Sequence, residues 1–300
     1  MKIQLLSAAI LAGLVFSCTD NQTPDMAVSE KAPELKKSMR SLRVAGDQTV
    51  AVYMAEYITN DAATGNTVFF SDRGNKQLSA DFVPLDPRRG GRANITYLVD
   101  DEFTSDNGLT PAELEQAIDN GMNTWDAEGC SNLGITKVPY SGNSGFVSSS
   151  LGFGGEITLD ADVQHSGFLP RAFFDALAPG GGDFILGVTF TLLWQDGAGD
   201  FTDVDNNGKL DVAFREIYYN DEFSWNTDGN SYDLETIALH ESGHALSQAH
   251  FGKAFRSGGN GKLHFSPRAV MNAAYSGVQR DLKSTDHSGH CSNWSSWPNN

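Results

Sequence analysis

The chain has 300 residues, with 21 Lys and Arg against 38 Asp and Glu, a formal net charge of −17. So acidic a balance repels nucleic-acid phosphate and other anionic polymers, favours solubility and is compatible with divalent cations. It excludes a nucleic-acid partner and leaves the substrate open.

At the N-terminus Lys2 precedes an apolar run from Ile3 to Phe16, followed by Ser17-Cys18. The run is too short to span a bilayer and reads as an export signal over residues 1–17. Val15-Phe16-Ser17-Cys18 resembles a bacterial lipoprotein signal, which implies acylation of Cys18; ordinary cleavage giving a secreted chain is the alternative. Either route places the protein outside the cytoplasm, at an outer membrane, on the cell surface or in the medium. Membrane contact is expected through the lipid anchor alone. Residues 18–45 are polar and charged with little apolar content, as in a disordered tether.

Residues 46–91 carry two β-prone runs, Thr49–Ile58 and Thr67–Phe70, and read as an N-terminal β extension or a pro-segment. Arg88-Arg89-Gly90-Gly91-Arg92 suggests a flexible, cleavable boundary, or a plain basic linker, opening a domain over 92–300. Within it Ile95–Val99 is a strand, and Thr110-Pro111-Ala112-Glu113 opens a helix with a capping threonine and proline at its first position. Leu114, Ala117, Ile118, Met122 and Trp125 form its buried stripe. Further strands are expected at Ile135–Val138, Phe184–Trp194 and Val212–Tyr219, and His165 is read as a polar loop residue, with a metal ligand as the alternative.

Between the last two strands, Asp203, Asp205, Asn207, Lys209 and Asp211 occupy alternate positions around Gly208. Oxygen donors in that spacing reproduce the first part of an EF-hand loop, where Lys209 would offer its carbonyl, so Ca2+ is the expected ion. The twelfth place holds Phe214 in place of a bidentate Glu, so an ion-free Asp/Asn/Gly turn is the alternative.

The next helix opens after Ser231 or Asp233 and contains His240-Glu241-Ser242-Gly243-His244, followed by His250. Residues four apart share a helix face, so His240 and His244 can address one ion, and His250 can join if the chain turns sharply near Ser247. Three protein ligands leave a fourth position for water, the mark of catalytic Zn2+. Glu241 is placed as the general base. Lys253 to Gly261 reads as an exposed inserted loop, and Ala269–Tyr275 contains Met271 and Tyr275 four residues apart. The tail beyond is read as irregular.

These stretches are similar to the metzincin zinc metallopeptidases, in particular the matrixin branch. The histidine pattern has Ser247 where the family has Gly, and Ala273 stands two residues after Met271 where matrixins usually have proline. The resemblance implies an α+β catalytic domain with a mixed twisted sheet, two long helices, a zinc cleft and a methionine turn formed by Met271 and Tyr275. It implies hydrolysis of protein or peptide substrates by a monomer, the substrate pairing with an exposed strand. A catalytically silent surface adhesion protein and a cell-wall peptide amidase are the competing readings. Matrixins silence themselves through a pro-segment cysteine; none lies between Thr19 and Gly129. Cys130 and Cys291 form either a disulfide or two separate buried thiols.

Overall fold

A computed structural model describes residues 41–45, 48–70, 80–100, 108–140, 142 and 144–299. The export signal, Cys18 and most of the expected tether lie outside the described residues. Leu42–Ala45, taken as the end of the tether, forms a strand instead, because it pairs in antiparallel fashion with the next one.

The domain is mixed α and β. Strands β1 (Leu42–Ala45), β2 (Gln48–Thr59), β3 (Thr67–Phe69), β4 (Ala80–Asp81), β5 (Ile95–Val99), β6 (Ile135–Lys137), β7 (Val163–Leu169), β8 (Ile185–Gln195) and β9 (Leu210–Asn220) form one nine-stranded sheet. Its main path runs β1-β2-β8-β9-β7-β5-β6, with β3 on β2 and β4 on β9. β5, β6, β7 and β9 are parallel to one another, while β8 runs antiparallel between β9 and β2. Short pairs β10 (Trp225–Asn226) with β11 (Tyr232–Asp233), and β12 (Lys253–Arg256) with β13 (Leu263–Ser266), complete the strands.

Helices cover both faces of the sheet, which explains why its central strands are near-continuously apolar and buried. On one face lie α1 (Pro111–Asp126) and α4 (Leu234–Ala245), packed with Met54, Ile58, Ile217 and Leu193. On the other lie α2 (Phe146–Ser150) and α3 (Arg171–Leu177), with Ala55, Tyr57, Val188 and Phe190. Helix α1 has the expected start: Thr110 and Glu113 form a reciprocal capping box. It crosses α4 closely at Gly121, where a Cβ would lie 2.9 Å from Leu239 N, and Trp125 Nε1 donates to Leu239 O at 2.8 Å.

Three further sequence expectations are corrected. The Arg88–Arg92 stretch is fixed and no flexible linker: it follows from a 3-10 turn at Pro87–Arg89, Arg89 is buried with its guanidinium donating to both oxygens of buried Asp162, and Arg92 donates to the same carboxylate. His165 is no loop residue; it lies buried in β7 with Nδ1 2.8 Å from the Tyr219 hydroxyl. The tail contains helix α5 (Ser284–Trp294), fastened by a Cys130–Cys291 disulfide with Cα atoms 5.6 Å apart. No helix among the described residues is long and apolar enough to cross a membrane.

Candidate metal centre

Asp233 caps α4, its carboxylate accepting from Thr236 N at 2.9 Å, and eleven of the helix's twelve residues are buried. His240 and His244 lie one turn apart on that helix. The chain then reverses at Ser247, whose φ of +64° is the left-handed conformation anticipated for a position normally held by glycine. Its hydroxyl offsets the strain: it donates to Ala80 O at 3.1 Å and accepts from Arg215 Nη1 at 3.0 Å. Arg215 also donates to Ala245 O at 2.6 Å, tying a cation to the carbonyl end of α4.

The reversal brings His250 back. Its Nε2 lies 3.1 Å from His244 Nε2 and 3.3 Å from His240 Nε2. Nδ1 of His240 is 2.7 Å from Val270 O, and Nδ1 of His244 is 2.8 Å from Gln248 O. A carbonyl only accepts, so both Nδ1 atoms carry the proton and both Nε2 atoms present lone pairs inward. A proton on His250 Nε2 can serve one of its two contacts; a divalent cation serves both. Tetrahedral zinc with bonds of about 2.0–2.1 Å separates its ligand nitrogens by about 3.3–3.4 Å, close to what is seen. The three inward-facing ring nitrogens therefore fit zinc, and burial holds the His240 and His250 rings well below the usual imidazole pKa, which keeps them neutral.

Around the three rings stand residues that sequence reasoning missed. Glu56 of β2 places Oε2 3.1 Å from His244 Nδ1; burial opposes charge on His244, and Glu56 outweighs it, raising the ring's pKa. A carboxylate alone in the apolar run Val50–Ile58 was the available signal, because a buried charge needs a partner. Asp286 of α5 accepts from Val270 N at 2.9 Å and Met271 N at 3.1 Å, fixing the turn whose carbonyl holds His240. Met271 is buried beneath α4 at Gly243, where a Cβ would meet its Sδ at 2.3 Å.

Glu241 is fully buried, with Oε2 accepting from Thr189 Oγ1 at 2.6 Å and Oε1 from Ile58 N at 3.3 Å. Burial pushes its pKa up to about 7, against the lowering effect of His244 and these hydrogen bonds. Tyr275 points its hydroxyl towards Ser231 O, 3.5 Å away, and its ring stands against Tyr232, so it braces the turn. β8, whose Thr189 holds Glu241, is paired on both edges, by β9 and by β2.

The acidic loop is arranged differently. Carboxylate oxygens of Asp203, Asp205 and Asp211 lie within 4.8 Å of one another, and Asn207 reaches Asp81 and Asp205. Asp211, however, is committed to Arg88 Nη2 at 2.7 Å and Thr202 Oγ1 at 2.5 Å, and the Lys209 ammonium lies 3.1 Å from Asp81. The insertion after His250 is an exposed hairpin of β12 and β13 whose Arg256 donates to Asp61 O. No family model matches the chain, and no curated protein matches it.

Proposed function

We propose that this chain is a zinc-dependent metalloendopeptidase of the metzincin type, exported and held by a lipid on Cys18. The observation carrying the proposal is the convergence of three Nε2 atoms, with His250 Nε2 3.1 and 3.3 Å from the other two and the far side of two rings bonded to carbonyls. Bound zinc supplies Lewis acidity, polarising a carbonyl and bringing the pKa of water towards about 7.

The chain's own groups supply the proton chemistry. Glu241, one residue after His240, accepts a proton from water as the water oxygen attacks the scissile carbonyl carbon. The carbon–nitrogen bond then breaks, and the same carboxyl returns the proton to the leaving amine. Thr189 holds the Glu241 carboxylate in place, Glu56 and Gln248 O orient His244, and Val270 O orients His240. A structural Ca2+ among Asp203, Asp205 and Asp211 is proposed on donor chemistry alone.

Metal analysis together with hydrolysis of unfolded casein tests the reading. One zinc per chain and cleavage blocked by a chelator and by a hydroxamate support it; a chain that takes up no zinc refutes it. The burial of Glu241 and His240 favours one competitor, a silent binding protein that keeps the ion. Zinc uptake without hydrolysis in any activated form would favour that competitor.

A further inference from the structure

We infer that the hairpin of β12 and β13 is a docking surface for an acidic, extended segment of a protein partner. That the segment belongs to a substrate rests on the peptidase reading. The chain holds 38 Asp and Glu, yet none lies between Glu241 and Asp281, whereas Lys253, Arg256, Lys262 and Arg268 all fall in that stretch and are all exposed. Arg256 donates to Gly261 O at 3.0 Å and to Asp61 O, and Arg268 to Val278 O at 3.1 Å. These acceptors are backbone carbonyls, and among the described residues none of the four cations is in an ion pair. On a chain of net charge −17 the hairpin therefore reverses the local sign. Exposed charges more than about 8 Å apart are screened at physiological salt, so a short acidic segment meets the charge of the hairpin and not that of the chain. A long anionic polymer overruns the hairpin and meets the acidic remainder.

The register of the hairpin sorts its side chains. Ala254 stands opposite Phe265 and Phe255 opposite His264. Phe265 is buried, so its face turns to the domain, and the other face presents Lys253, Phe255 and His264 to solvent. Phe255 is 50% exposed and stacks on His264 with ring centroids 5.4 Å apart; Phe251, at the root, is also 50% exposed. An exposed aromatic ring beside a cation offers apolar area and charge together, the composition of a recognition surface. Each strand of the pair also has an outer edge that is unpaired among the described residues, so an extended segment can add to it through its backbone. A lipid headgroup has no backbone to pair, which favours a polypeptide. Both roots of the hairpin are fastened at the metal centre: Phe251 N donates to Met271 O at 2.8 Å, and Asn272 Nδ2 to Phe251 O at 2.8 Å and Pro267 O at 3.2 Å. A segment held on the hairpin is thereby held at a fixed place relative to the three imidazoles.

Fluorescent peptides of one length test this: a Glu-rich and a Gln-rich repeat, each with spaced Phe residues and flanked by the same neutral, unstructured stretches. Binding is read by anisotropy on the zinc-loaded full chain carrying Glu241→Gln, so that nothing is cut. The Glu-rich peptide should bind at least about tenfold tighter than the Gln-rich one at low salt and lose that preference at about 0.5 M salt. Lys253→Glu with Lys262→Glu should abolish the preference. With Glu241 restored, the same two substitutions should raise KM for the Glu-rich peptide by about tenfold, leave its kcat alone and leave hydrolysis of the Gln-rich peptide unchanged. Equal affinity for the two peptides overturns the inference, and so does a preference that survives charge reversal. The comparison between peptides needs no altered hairpin, so it decides the matter even where the reversed variant does not fold. Vesicles of phosphatidylcholine with and without phosphatidylglycerol test the other source of negative charge: a chain that binds only the anionic vesicles, through Lys253 and Lys262, and shows no peptide preference overturns the inference in favour of a membrane. If the Glu-rich peptide binds as expected and no chain hydrolyses either peptide, the peptidase reading falls and the docking surface stands.

Discussion

The histidine cluster and the acidic loop each gather three ligand-type side chains from a short stretch of chain, yet they are prepared in opposite ways. Around the histidines, hydrogen bonds hold the side of two rings that faces away from the converging Nε2 atoms: His240 Nδ1 donates to Val270 O and His244 Nδ1 to Gln248 O. Around the acids, the bonds consume the ligand atoms themselves, with Arg88 and Thr202 on Asp211 and backbone amides on Asp203. A site is preorganised when its partners hold the ligands from behind. Partners in front compete with an ion and weaken its binding.

The largest effect should come from Glu241→Gln, which keeps the ligand set and removes the base. On the peptidase reading, hydrolysis should fall by about 10²–10⁴-fold with zinc content unchanged, whereas His244→Ala should lose both. Equal turnover of Glu241→Gln and wild type would remove Glu241 from the chemistry. Asp286→Ala tests support from behind: with Val270 and Met271 amides released, zinc affinity should drop by about 10–100-fold in a competitive chelator titration. Unchanged affinity would mean that the turn holds His240 without help.

The acidic loop offers the converse experiment. Arg88→Ala frees Asp211, so calcium affinity measured by calorimetry should rise by about tenfold even as the fold loses an ion pair. Asp205→Ala should abolish the heat of binding; an isotherm identical to wild type would show that the loop takes no ion. A smaller effect lies on the opposite face of the sheet, where Glu216 accepts from the amides of Phe146 and Val147. Burial raises its pKa to about 7 from 4.5, so the folded state favours the protonated form. The stability it contributes is complete below 4.5 and is lost as pH rises through about 7. Urea midpoints should therefore decline over that interval in wild type and flatten in Glu216→Gln; parallel slopes would assign the decline to another group.

Much of this architecture was legible because it is written locally. The capping box at Thr110 and Glu113, the Asp233 cap, the histidine spacing and the reversal at Ser247 each depend on residues a few positions apart. Contacts distant in sequence were not legible. Arg89 looks like part of a basic linker until Asp162, 73 residues away, arrives to bury it. Helix α5 shows no apolar stripe, since its buried residues are Asp286, His290 and Trp294, so hydrophobic periodicity gave no sign of it. Glu56 could be flagged as a buried charge, but its partner could not be named from sequence.

The two small residues of the histidine segment constrain substitution in different currencies. Position 247 is restricted in backbone angle, a penalty of about 1 kcal/mol that a hydroxyl with two partners compensates. Position 243 is restricted in volume: an added methyl would collide with Met271 Sδ and with Trp125, whose Cζ2 would lie 2.9 Å away. A search for distant relatives should therefore accept glycine or a hydroxyl-bearing residue at 247 and demand bare glycine at 243.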